Sequence, residues 1–79
     1  MSSFYNTEFN QVLFGEKIAV ERIIQRKISQ RQAAEEIGIS VATLCRFELG
    51  RTFPDVLSYY RVCQWLECEL EVFFISKKI

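Results

Sequence analysis

Between residues 7 and 27 the apolar positions recur at helical spacing. Phe9, Val12 and Leu13 are followed by Ile18 to Val20 and then Ile23 and Ile24, with no proline to interrupt them. The pattern predicts one long first helix, or two segments meeting near Gly15; glycine inside a helix costs about 1 kcal/mol relative to alanine. Ser29 with Gln32 three residues on has the form of a capping box, the serine oxygen accepting from the Gln32 amide while the Gln32 side chain reaches back. A second helix then runs through Ala33, Ala34 and Ile37 to Gly38, a residue suited to the left-handed turn that closes helices. Ile39 is apolar within the turn, and Ser40 is the next N-cap. A third helix is expected over 41–49, with Leu44 and Phe47 inward and Gly50 ending it. Past the only proline, Pro54, Asp55 caps a fourth helix whose buried face would be Val56, Tyr59, Val62, Cys63 and Leu66, ending near Glu67. Residues 70–75 fit either a last short helix using Leu70, Phe73 and Phe74, or a strand, since aromatic and β-branched residues are dense there.

The expected architecture is a single all-α domain over 1–79, with residues 1–6 a flexible arm. Its informative unit is 29–50, where two short capped helices are joined by a turn of about three or four residues containing glycine, the form of a helix-turn-helix. Small Ala33 and Ala34 sit where bulk would push the helices apart. Gly38 supplies a positive φ without strain, and Ile39 pins the turn to the core. The second helix of such a unit must begin with exposed residues, because that end faces base edges in the major groove.

In these residues the chain resembles the Cro/repressor-type helix-turn-helix regulators, the XRE family. The matching positions are Ile28-Ser29-Gln30, Ala33-Ala34, Ile37-Gly38-Ile39-Ser40, Thr43-Leu44, Arg46-Phe47-Glu48, Gly50 and Pro54. Val56, Tyr59, Val62, Leu66, Leu70 and Phe73 follow the family's apolar spacing, and Phe14 to Ile18 with Arg22 looks like its first helix. The resemblance implies a five-helix domain binding double-stranded DNA as a two-fold dimer. It places Gln30 at a phosphate-contacting position, and Val41, Ala42, Cys45 and Arg46 on the exposed side of the recognition helix. Arg46 would read a base directly, since a guanidinium can bond O6 and N7 of guanine together. Val41 and Ala42 could sense a thymine methyl; Thr43 and Arg51 would hold the phosphate backbone. Three positions depart from the family. Counting back from Gln30 puts its first-helix arginine on Ile23, not Arg22, so either one residue is inserted before Ile28 or the local register differs, and the family's pair with the glutamate at Glu48 stays open. Glu67 stands where a glycine often ends the fourth helix, and Phe53 where the linker commonly carries a basic residue.

Composition narrows the reading. A 79-residue chain has room for one domain, and one of this size buries only about 60% of its unfolded surface. Here 49% of residues are hydrophobic, with seven Phe, three Tyr and one Trp among them. Some of that excess should be partner surface: Val72, Phe73, Phe74 and Ile75 cannot all point inward from one helix. A homodimer is the expected partner, contributed by this run or by the aromatic N-terminal stretch with Phe4, Tyr5, Phe9 and Phe14. Net charge is zero, which weighs mildly against nucleic acid. Its distribution does not: Arg22, Arg26, Lys27, Arg31, Arg46 and Arg51 face only Glu35, Glu36 and Glu48 between residues 22 and 51, a local surplus of three positive charges.

With no histidine and no CxxC, Cys45, Cys63 and Cys68 offer neither a metal set nor a nucleophile–base pair. No enzyme, cofactor or metal is expected, and the thiols are read as reduced, Cys63 in the core and Cys68 on either side of its boundary. No stretch nears the ~20 apolar residues of a membrane span and Met1 to Asn10 lack the basic-then-apolar layout of a signal peptide, so a cytoplasmic protein without membrane contact is expected. The leading expectation is a transcription regulator, with repression as the expected sign. Phage-type repressors, restriction–modification controllers and antitoxins all have this size. The alternative is an interaction module that keeps the fold without binding DNA, with a toxin or another regulator as partner.

Overall fold

The computed structural model describes residues 7–76; the arm expected over 1–6 lies outside them. Strand β1 (Thr7–Phe9) leads into helix α1 (Gln11–Val20), which continues without a break as a π-helical turn over Glu21–Arg26. Helices α2 (Gln30–Ile37), α3 (Val41–Glu48) and α4 (Val56–Leu66) follow, then a 3-10 turn (Leu70–Phe73) and strand β2 (Phe74–Ser76). The chain is mostly helical. The fifth helix of the expected set is only that single 3-10 turn, and both alternatives left open for 70–75 are used in succession.

Every α-helix starts on a polar cap. Asn10, Ser29, Ser40 and Asp55 each accept from the amide three residues on, removing one of the four unsatisfied donors at a helix start. The reciprocal half of the capping box is not made, because the Gln32 side chain donates forward to Glu36 at 3.5 Å. Gly38 closes α2 at φ 90°, and the Arg61 guanidinium donates to its carbonyl at 2.8 Å, tying that turn to α4.

Phe14, Ile18, Leu44, Phe47, Val62 and Phe73 fill the core, with Ala33, Ala34 and Ile37 packed beside them. Gly15 does not break the first helix. It lies where α1 crosses the end of α3, and a Cβ there would stand 2.3 Å from the Phe47 carbonyl oxygen and 3.0 Å from that of Glu48. The crossing therefore requires glycine, whatever its cost in helix propensity.

β1 and β2 pair antiparallel, Thr7 opposite Ser76, Glu8 opposite Ile75 and Phe9 opposite Phe74. Two short strands are marginal alone, and here aromatic rings support them. Phe9 meets Phe14 at 5.4 Å, Phe74 at 5.3 Å and Tyr59 edge-on at 5.7 Å between centroids, while the Tyr59 hydroxyl donates to the Leu70 carbonyl. Three apolar assignments change. Val56 is 88% exposed, because the turn at Pro54 and Asp55 brings α4 in with its first residue facing outward, and Leu70 and Phe74 are exposed on the 3-10 turn and the ribbon. Val12, Ile23 and Ile24 are exposed as well; the wider π turn carries the two isoleucines off the buried face of α1.

Candidate nucleic-acid interface

The surface expected to meet DNA is the opening of α3. Val41, Ala42 and Arg46 are exposed there, and Thr43 and Cys45 are half-buried beside them. The opposite side of the same short helix is sealed, with Leu44 and Phe47 buried. Ser40 holds the first turn twice over: its Oγ accepts from the Thr43 amide at 3.0 Å and donates to Thr43 Oγ1 at 2.8 Å. The Thr43 hydroxyl hydrogen is left for an outside acceptor.

The far end of α3 is clamped by charge. Arg22 Nε donates to Glu48 Oε2 at 2.7 Å and Nη2 to Oε1 at 3.0 Å, a two-pronged pair whose side chains are only 15% and 10% exposed. The third guanidinium nitrogen donates to the Ile28 carbonyl at 3.2 Å, and Gln30 Nε2 donates to Glu48 Oε1 at 3.1 Å. One network thus joins the ends of α1 and α3 to the start of α2. The Glu48 partner raises the Arg22 pKa above its ordinary value, against the opposing effect of burial.

This settles the register question. The π turn holds one residue more per turn than an α-helix would, and it ends on Lys27 in the left-handed conformation, φ 56°. The residue that seemed inserted before Ile28 is absorbed in the wall of the helix, and Arg22 reaches Glu48 from the position one residue early in the sequence count.

A helix-turn-helix family profile matches residues 18–73. The chain belongs to this family, of the Cro/repressor type. It is a family of DNA-binding, non-enzymatic domains. No curated protein matches the sequence. Among the described residues of this helix-turn-helix protein no group of histidine, cysteine or acidic side chains could hold a metal ion, and no helix is long and apolar enough to cross a membrane.

Pairing also redistributes the charge. Arg26 donates to Glu21 at 2.8 Å, to Glu36 at 3.0 Å and to the Trp65 carbonyl at 2.9 Å, with its guanidinium carbon 4.5 Å from the centre of the indole ring. Once Arg22 and Arg26 are set against their partners, Lys27, Arg31, Arg46 and Arg51 are opposed only by Glu35 in the central segment. The Arg46 and Arg51 guanidinium groups have no hydrogen-bond or ion-pair partner among the described residues, and Glu48, on the same helix as Arg46, is engaged by Arg22 and Gln30. Gln30 is half-buried, its amide nitrogen keeping one hydrogen beyond the bond to Glu48.

Two residues that matter to this scaffold carried no sequence signal of their own. Trp65 is buried and donates through its indole nitrogen to Glu36 at 2.9 Å. Arg61 secures the motif's turn from α4. Each acts across a long sequence separation, which spacing along one helix does not reveal.

Proposed function

We propose that this protein is a sequence-specific DNA-binding transcription regulator that works as a homodimer on an operator of two half-sites. The observation that carries the reading is Arg46: exposed, without a partner among the described residues, and held on a helix whose base is fixed by the Arg22–Glu48–Gln30 network. Arg46 reads a guanine edge, Val41 and Ala42 pack on a thymine methyl, and Cys45 borders the same surface. Gln30, Thr43 and Arg51 hold phosphates and set the register. Repression is the proposed outcome because blocking a promoter needs nothing beyond occupancy.

The dimer surface is assigned to the aromatic side. Phe53, Val56 and Phe74 are all exposed there, around an apolar groove of about 190 Å³ also lined by Phe9, Pro54 and Tyr59. A monomer rarely leaves so many large apolar groups together in water, and a two-fold axis through such a patch lets it cover itself. Phe53 then serves assembly where related proteins carry a phosphate-binding residue in the linker.

Selection from random duplex DNA should recover a two-fold site with half-sites roughly 34–36 Å apart or a multiple of that. On that site Arg46→Ala should lose about 1–3 kcal/mol of discrimination against scrambled DNA with an unchanged melting curve. Equal affinity of the parent protein for operator and scrambled duplex would refute the reading, and binding indifferent to salt would favour the interaction module instead. Val56→Asp should turn the dimer into a monomer in sedimentation and weaken operator binding; a dimer of parental strength would move the interface elsewhere.

A further inference from the structure

The end of α4 brings two cysteines side by side. The Cys68 amide donates to the Cys63 carbonyl at 3.1 Å, and the Glu67 amide donates to the Gln64 carbonyl at 3.1 Å with Glu67 itself at φ 58°. These nested bonds define the Schellman turn, whose geometry sets the residue after the left-handed position against the residue five before it. Those two positions are Cys68 and Cys63. Burial, and then the neighbouring Tyr59 hydroxyl and Cys68 thiol, act on the Cys63 thiol. Cys63 is buried, while Cys68 is half-buried and lines a surface cavity of about 370 Å³ with Lys17, Leu66 and Val72. That cavity is not the aromatic groove assigned to the dimer, nor part of the α3 surface.

We propose that Cys63 and Cys68 are an oxidisable dithiol that hydrogen peroxide closes to an intramolecular disulfide. Cys68, which the oxidant can reach, attacks one peroxide oxygen as the thiolate; the O–O bond breaks to give a sulfenic acid and hydroxide, and the hydroxide takes up the proton that Cys68 released, forming water. Cys63 then attacks the Cys68 sulfur, the S–O bond breaks, and the hydroxyl leaves with the Cys63 proton as a second water. The protein gives up two electrons and two protons, and one peroxide becomes two waters. Burial pushes the Cys63 pKa up to about 11, so the closing step should accelerate as pH rises. The backbones are already joined across the turn, which suits the short span a disulfide demands. Closure would also take Cys63 from Tyr59, the residue that anchors the 3-10 turn leading to β2.

The test is peroxide treatment of the full chain at pH 7 and pH 9, followed by iodoacetamide, trypsin and mass spectrometry. Both thiols fall in the tryptic peptide 62–77, whereas Cys45 falls in 32–46. The expected result is a 62–77 peptide lighter by two hydrogens and unalkylated, formed faster at pH 9, with both alkylation sites restored by dithiothreitol. Cys45→Ser should leave this unchanged and Cys68→Ser should abolish it. A 62–77 peptide that stays reduced while Cys45 oxidises, that gains oxygen atoms on Cys68 without losing two hydrogens, or that appears only in cross-linked dimers would overturn the proposal.

Discussion

The surface around α3 and the surface around the β1–β2 ribbon are built on different physical principles. Near α3, directional charged bonds converge: Arg22 grips Glu48 with two nitrogens and the Ile28 carbonyl with a third, and Gln30 adds another donor. Around the ribbon, rings do the holding. Phe9 packs tilted against Phe14 and Phe74, Tyr59 meets Phe9 and Phe74 edge to face, and Phe53, Val56 and Phe74 still show apolar surface to water. A forked ion pair tolerates little change in angle, which is what a helix presenting side chains to base edges needs. Aromatic packing is less directional and leaves a face that a second copy can cover.

The deepest way to break the first of these surfaces is at Gly15. Alanine there would gain about 1 kcal/mol in helix propensity, but its methyl would be driven against the Phe47 carbonyl, 2.3 Å from an ideal Cβ. A backbone oxygen cannot rotate aside. The expected net loss is about 3 kcal/mol or more, read as a collapse of the thermal midpoint and of operator binding together. A Gly15→Ala protein melting with the parent would show that α1 and α3 do not need so close an approach.

Glu48→Ala tests the clamp itself. It strands the Arg22 charge in a site only 15% exposed. Removing one member of a fully buried pair costs about 3–5 kcal/mol, so with some water access here about 2–3 kcal/mol is expected in chemical denaturation. Should Glu48→Ala lose less than Val56→Asp does in the monomeric state, the contrast between the two surfaces would fail.

The same contrast explains what was legible in the chain. The N-cap oxygens of Ser29, Ser40 and Asp55, the Gly38 turn, Leu44 and Phe47 inward and Val41, Ala42 and Arg46 outward all follow from local chemistry and helical period, and the structure places each as expected. Sequence counting set Arg22 one residue out of place, because a π turn preserves hydrophobic spacing poorly and has no cap or proline to announce it. Val56 was misplaced for another reason. Periodicity gives the angular spacing of apolar residues but not where the buried arc begins, and the turn at Pro54 sets that. The ribbon depends on β1 and β2 meeting across most of the chain, which no local pattern encodes. Glu67 stands where the family often has glycine; its left-handed φ of 58° shows that the turn is made regardless.

The smallest effect concerns Glu36, where Arg26 and Trp65 meet. The Trp65 indole, and after it the Arg26 guanidinium, hold the Glu36 carboxyl below the ordinary value of 4.5. A folded-state pKa lower than the unfolded one stabilises the fold above the unfolded value, and that contribution fades as pH falls through the folded one. Glu36→Gln should therefore melt slightly below the parent at neutral pH, and the gap should narrow once pH drops under about 4.5. Asp55, also held low by its capping bonds to Ser58, is untouched by the substitution, so its loss affects both proteins alike and cancels from the comparison. A gap that stays constant down to acid pH would mean that Glu36 acts as a neutral acceptor for Trp65, leaving Arg26 tied to this corner by Glu21, the Trp65 carbonyl and the indole face alone.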